Sequence, residues 1–223
     1  MATGFLGMLI LDTRFPRPPG DIGCARTFDR AGIPVRYLRM QGVGPRRAVQ
    51  ESDQAMLDAV IRGALQLEGE GASLVATTCG FLSRYQLPLE RALRVPVVTS
   101  SLLQARELPL PGIVTIDRRS LGQEELGGAG VPPGIPVQGV LPGSEFRERI
   151  LGNDPSLDLA QAREDVVQAA RALVDAHPSL RTIVLECTNM PPYREAVREA
   201  TGRTVVDMET LLLRRWHALG GAA

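Results

Sequence analysis

Lysine is missing from this chain: all 25 basic residues are arginine. Imine formation on a lysine amine is therefore excluded, and with it pyridoxal phosphate enzymes and Schiff-base aldolases. A phosphate loop of the Walker type, which needs its lysine, is excluded too. Histidine is nearly as scarce. His177 precedes Pro178 at a helix end, His217 sits in the C-terminal helix, and no HExxH, CxxC or clustered Cys/His spacing supplies a ligand set, so no metal site is expected. Three widely spaced cysteines make no disulfide framework and are expected as free thiols in a reducing compartment. Neither sign of charge dominates, 25 basic residues standing against 25 acidic ones. That leaves no electrostatic footprint for nucleic acid or an anionic membrane. The apolar runs are strand-sized and broken by Gly, Pro or charge, so none spans a membrane. Met1-Ala-Thr-Gly4 lacks the basic region of a secretory signal. With 44% apolar and 22% charged residues the chain is globular rather than disordered. The expectation is a cytoplasmic protein whose partner is a small metabolite, neutral or anionic.

What is present centres on two cysteines. Leu74-Val-Ala-Thr-Thr-Cys79-Gly and Ile183-Val-Leu-Glu-Cys187-Thr-Asn189 each end an apolar, strand-like run in a thiol. At the same offset, 187 − 79 = 108, Pro96-Val-Val98 overlays Thr204-Val-Val206, and Gly4-Phe-Leu6 overlays Gly112-Ile-Val114. The chain reads as a duplication. Two similar halves facing across a cleft bring their thiols toward one small molecule from opposite sides, which suits a reaction needing an acid and a base on opposite faces of one carbon.

Along the chain, strand and helix alternate. Phe5 to Leu11 is a continuous apolar run that predicts a strand buried on both faces. A Pro/Gly-rich loop from Thr13 to Ile33 has the length of a lid or binding loop. A strand at Val35 to Met40, a helix from Ser52 to Leu67, a strand ending at Thr78, a short helical stretch broken near Pro88 and a strand at Pro96 to Thr99 complete the first half. The second repeats the order. Strands are predicted at Gly112 to Asp117, Val137 to Leu141, Thr182 to Glu186 and Val205 to Met208. Helices are predicted at Leu121 to Leu126, Leu159 to Ala176, after Pro191-Pro192, and from Thr210 to Leu219. The fold class is α/β: two similar Rossmann-like lobes with parallel sheets, related by pseudo-twofold symmetry, with an active-site cleft between them. Residues 1–100 plus 207–223 form one lobe and 101–206 the other, the final helix crossing back.

The paired cysteine motifs, the duplicated halves and the strand end Leu11-Asp12-Thr13 resemble the aspartate/glutamate/hydantoin racemase superfamily over nearly the whole chain. Asp-Thr-Arg-Phe-Pro and Cys-Thr-Asn-Met-Pro-Pro are similar to a less characterised, Asp/Glu racemase-like branch of it. The resemblance implies a cofactor-independent racemase or epimerase in which Cys79 and Cys187 abstract and deliver a proton at the carbon next to a carboxylate or carbonyl. It implies substrate contacts from Asp12 and Thr13, from Gly42, Val43 and Gly44 after the second strand, and from Thr188 and Asn189 after the second cysteine. A homodimer is common for this architecture. The substrate would be a small acid, an amino acid or a hydantoin. Gly80 follows the first cysteine where glutamate racemases usually carry asparagine, so fewer side-chain donors surround that thiol.

The chemistry can be read from the residues alone. Deprotonation next to a carboxylate builds an enolate that the site must stabilise. Each thiol is expected just before a helix, whose positive end favours a thiolate and a bound carboxylate. Thr78 precedes the first thiol, and the amides of Gly80, Thr188 and Asn189 are candidate donors. Arg14, Arg17, Arg46 and Arg47 lie near the cleft mouth and read mainly as solvated surface. Cys24, without a counterpart in the second half, reads as a small core residue. Glu186, next to Cys187 in an alternating strand, is expected to face away from the substrate. A same-fold decarboxylase using one thiol, a cis-trans isomerase using one as a nucleophile, and a non-catalytic binder of small acids stay open beside the racemase.

Overall fold

The run Phe5–Leu11 forms β1 and is buried along its whole length, as a strand covered on both faces must be. The structure is a computed structural model and describes residues 4–51 and 54–220. With β1 pair β2 (Val35–Met40), β3 (Ala72–Thr77) and β4 (Val97–Val98), in the order β2-β1-β3-β4. A second sheet holds β5 (Pro111–Thr115), β6 (Val137–Gly139), β7 (Thr182–Leu185) and β8 (Thr204–Val206), in the order β6-β5-β7-β8. Every pairing is parallel, so the two sheets share one topology.

The register corrects one sequence overlay. Val75 and Ile183 are equivalent, as are Val97 and Val205, so the third and fourth strands follow the offset 183 − 75 = 108. In the first strands, however, Gly7 pairs with Val75 and Gly112 with Ile183, an offset of 112 − 7 = 105. Gly112 therefore matches Gly7 rather than Gly4. Both glycines do the same work. A Cβ on Gly7 would meet Leu67 at 3.1 Å, and one on Gly112 would meet Leu180 at 2.7 Å and Leu173 at 3.1 Å, so each lets a covering segment lie close on its sheet.

The helices are α1 (Pro45–Gln50), α2 (Gln54–Gly69), α3 (Gln86–Ala92), α4 (Gln123–Gly128), α5 (Glu145–Gly152), α6 (Leu159–Ala176), α7 (Arg194–Thr201) and α8 (Met208–Ala218). In α2, Met56, Val60, Ala64 and Leu67 are buried at helical spacing; the expected start at Ser52 lies outside the described residues. Asp158 caps α6 by accepting from the amides of Ala160 and Gln161. Pro88 does not break α3, because it falls in the first turn, where its missing N–H has no intrahelical partner to lose. The expected loop from Thr13 to Ile33 contains a 3-10 segment, Ala25–Ala31. Among the described residues no helix is long and apolar enough to cross a membrane.

One core cluster runs through both sheets and their helices. A second lies on the other face of the first sheet, where Met208, Leu211, Leu212 and Trp216 of α8 pack against Leu6, Met8, Leu74, Ala76 and Val98. The chain thus returns to its first sheet at the end, and Asp207 sets the angle of return. Fully buried, Asp207 accepts from the Thr210 amide at 2.9 Å and from Arg194 Nη1 at 2.8 Å. Asp207→Ala removes a helix cap and one side of a buried ion pair, and is expected to cost about 3 kcal/mol in urea unfolding. Asp207→Asn, which keeps the cap, is expected to lose roughly half as much.

Candidate active site

β3 ends at Thr77 and β7 at Leu185, so Cys79 and Cys187 each stand two residues past a strand, at the carboxyl edge where parallel sheets place their ligands. These two edges meet. Thr188 Oγ1 donates to the Thr78 carbonyl at 2.7 Å, and Ser101 Oγ donates to the Leu185 carbonyl at 2.7 Å. Both thiols are buried and line one small cavity. Thr78, Gly80, Phe81, Glu186, Thr188 and Asn189 supply the rest of its floor, and Leu11 and Ile116 border it from the ends of the first strands. Phe15 and Arg17 reach it from the Pro/Gly loop, Pro45 and Val49 from α1, and Ile150 and Leu151 from α5.

Of the residues singled out in the sequence, Thr78, Cys79, Gly80, Cys187, Thr188 and Asn189 come together on this wall. Asp12, Thr13, Gly42, Val43 and Gly44 stand outside it and buttress it. The Asp12 amide donates to the Val43 carbonyl at 3.0 Å, and the half-exposed Asp12 carboxylate accepts from the Gly42 amide and from Arg39, each at 3.2 Å. Asp117, at the equivalent place after β5, likewise accepts from the Arg119 amide at 3.0 Å and from Arg147 at 3.0 Å. Both aspartates fasten turns. Gly44 caps α1 and so delivers Pro45 and Val49 to the cavity. Cys24, free and buried, is absent from the cavity wall.

Glu186 departs from expectation. Because β7 stops at Leu185, strand alternation no longer governs Glu186, and the residue lines the cavity. It is fully buried. Its Oε2 accepts from Thr115 Oγ1 at 2.8 Å, while among the described residues Oε1 has no hydrogen-bond partner. Gly80 makes the fit possible, since a Cβ there would lie within 2.5 Å of the Glu186 carbonyl oxygen and closer still to Oε1. Arg17, half-buried, was read as surface, yet its guanidinium donates to Asp21 at 2.6 Å and to Thr13 Oγ1 at 2.9 Å and stacks 4.6 Å from the centre of the Phe15 ring. No signal in the sequence marks α5 as cavity wall, whereas Phe15 and Arg17 share the loop whose length predicts a binding role.

Burial dominates the electrostatics. It pushes the Cys79 thiol up to about 12, with Glu186 adding to the rise, while the amides of Phe81 and Leu82 pull it back. It drives Cys187 well above the ordinary thiol range, Glu186 again adding and the Asn189 amide opposing. Burial also lifts Glu186 to about 7, against the bond from Thr115. As expected, a helical segment follows each thiol, the 3-10 turns Gly80–Tyr85 and Pro191–Tyr193 running directly into α3 and α7, and the amides at these starts offset part of the desolvation. The two thiols are not alike. Cys187 Sγ donates to Asn189 Oδ1 at 3.5 Å, and Asn189 Nδ2 is fixed by Asp21 at 2.7 Å.

No family model matches the chain. It is 28% identical to dimethylsulfoniopropionate lyase 5 of Emiliania huxleyi over 95% of its own length and 44% of that protein. It is 26% identical to a dimethylsulfoniopropionate lyase of Durusdinium sp. clade D, over 91% of its own length and 70% of that protein. The chain thus spans less than half of the first of these relatives. Among solved structures, a Gly-to-Cys variant of arylmalonate decarboxylase superposes with a TM-score of 0.67 at 17% identity, covering 98% of this chain and 94% of that one. Allantoin racemase from Klebsiella pneumoniae gives 0.66 at 15% identity, covering 98% and 90%. Glutamate racemase RacE1 from Bacillus anthracis gives 0.64 at 16%, covering 100% and 85%. These likenesses show that the chain shares the fold of that decarboxylase and those two racemases.

Proposed function

We propose that this protein is an enzyme that removes a proton from the carbon next to the carboxylate of a small molecule, with Cys79 as base, and completes the reaction by loss of a leaving group from the neighbouring carbon. The observation that carries this reading is the pair of thiols delivered by equivalent strand ends to one buried cavity. Similarity to dimethylsulfoniopropionate lyases over nine-tenths of the chain supports elimination as the outcome.

The step balances without a redox partner. The Cys79 thiolate takes the α proton, and the C–H electrons become the C=C bond. The bond from the β carbon to sulfur breaks with its pair on sulfur. Dimethylsulfoniopropionate then yields acrylate and dimethyl sulfide, and the thiol later returns its proton to solvent. Cys79 suits the base because the amides of Phe81 and Leu82 face it, whereas Cys187 spends its proton on Asn189 Oδ1. The guanidinium on the cavity wall, Arg17, is already bound to Asp21, and Arg84 is the smallest of the influences on the Cys79 thiol, so a substrate carrying its own positive charge adds to what favours the thiolate. The amides of Gly80 and Thr188 are the candidate donors to the substrate carboxylate.

Racemisation is the second reading, favoured by the presence of a thiol on each lobe. There Cys187 returns a proton to the opposite face, and both thiols are indispensable. Single variants separate the two. For elimination, acrylate formation from dimethylsulfoniopropionate followed by NMR is expected to fall at least ~10³-fold in Cys79→Ser and to stay within about tenfold of wild type in Cys187→Ser. No acrylate from the wild type, together with α-deuterium exchange of aspartate, glutamate, a hydantoin or an arylmalonate that needs both thiols, gives the racemase instead. The raised Cys79 thiol also fixes the pH response. The thiolate fraction grows as pH rises toward about 12, so kcat/KM is expected to climb through pH 10 without a plateau; a plateau near pH 7 assigns the base to a group other than Cys79.

A further inference from the structure

The cavity wall carries one guanidinium and one carboxyl, and they are not a pair. Arg17 is held on all sides. Besides Asp21 and Thr13, it lies flat between the Phe15 ring and Gly23, where a Cβ would come within 2.5 Å of its Nη1. Among the described residues Glu186 has a single hydroxyl on Oε2 and no hydrogen-bond partner on Oε1, although it is fully buried. An unpaired carboxylate in an apolar cavity is strongly unfavourable unless a cation arrives. The titratable groups facing it are the thiols of Cys79 and Cys187, neither of which is a cation.

The kind of cation follows from the wall. A primary ammonium brings three N–H donors, and among the described residues the wall's side chains offer it one unpartnered oxygen, Glu186 Oε1. A methylated onium group brings none. It asks for an opposite charge, apolar contact and an aromatic face, and Glu186, Ile116 and Phe81 line the same cavity. Building on the elimination reading, we propose that Glu186 is a specificity-determining residue that recognises the onium group of the substrate. The cavity takes a small zwitterion, with a carboxylate at one end and a sulfonium or quaternary ammonium at the other, in preference to an uncharged molecule of the same shape. Since burial holds Glu186 near neutrality, an onium ligand also drives a proton off it when it binds at pH 7.

Two acids of equal shape test this without turnover: 3-(trimethylammonio)propanoate and 4,4-dimethylpentanoate, which differ in the charge of the branched end. In calorimetry at pH 7 the wild type is expected to bind the onium acid at least ~10-fold more tightly, with proton release that scales with the ionisation heat of the buffer. Glu186→Gln is expected to bind both acids alike, with no proton release, and to hold the uncharged acid as the wild type does, which shows the cavity intact. Equal affinities in the wild type, no binding of the onium acid, or a preference that persists in Glu186→Gln overturns the assignment. Acrylate formation from dimethylsulfoniopropionate, followed alongside, tests the reading beneath it. Elimination without onium preference removes the role of Glu186 alone, and onium preference without elimination removes the lyase reading while the ligand class stands.

Discussion

The hydrogen bond from Thr188 Oγ1 to the Thr78 carbonyl, 2.7 Å across the junction of the lobes, expresses the constraint on which the site depends. Parallel sheets expose unsatisfied backbone at their carboxyl edges, and here side-chain hydroxyls satisfy the Thr78 and Leu185 carbonyls. The consequence is closeness. Gly80 must lack a side chain because the Glu186 backbone and carboxyl occupy that space, and Ser101 completes the seam by donating to the Leu185 carbonyl. Two thiols held by such a seam cannot drift apart, which is the preorganisation that proton transfer at carbon requires.

A second chain of bonds ties the covering loop to the chemistry. Asp21, almost fully buried, accepts from Arg17 at 2.6 Å, from the Gly23 amide at 2.7 Å and from Asn189 Nδ2 at 2.7 Å. With its Nδ2 so fixed, Asn189 presents Oδ1 to Cys187. The Ile22 amide donates to the Thr188 carbonyl at 3.2 Å, and Phe15 and Arg17 roof the cavity. The loop therefore acts at two points at once, excluding water and setting the orientation of the amide that faces the second thiol. Release of the loop would undo both, so access to the cavity and the setting of the Cys187 thiol are coupled through one aspartate.

Much of this was legible in the sequence, and the failures have physical causes. Strands with continuous apolar runs and the helix over Leu159–Ala176 followed from periodicity. The cysteine pair and the shared offset of 108 located the meeting edges. The first strand departs from that offset because Gly112 matches Gly7 rather than Gly4, and only backbone pairing fixes register. α1 and α5 were missed since six or eight residues hold too few turns to show a period. Glu186 was assigned outward because the strand was drawn one residue too long. The site residues taken from resemblance after the first two strands lie beside the cavity lining, Thr13 accepting from Arg17 and Gly44 capping α1.

The energetics of Glu186 argue that it is kept for a ligand rather than for the fold. Its folded value near 7 lies above the ordinary glutamate value of 4.5, so the folded state holds the proton more tightly than the unfolded one. The stability this contributes is fully present below about pH 4.5 and is lost as pH rises through about 7, where the ionised form costs about 3 kcal/mol. An amide or an apolar side chain of similar size would escape that cost. Thr115 satisfies one oxygen and Gly80 makes room for the other, so the surroundings are fitted to a carboxyl that destabilises the protein at neutral pH. Such an arrangement is coherent if the missing partner is a cation that enters with the substrate, because the charge that weakens the empty protein is then the charge that selects what fills it.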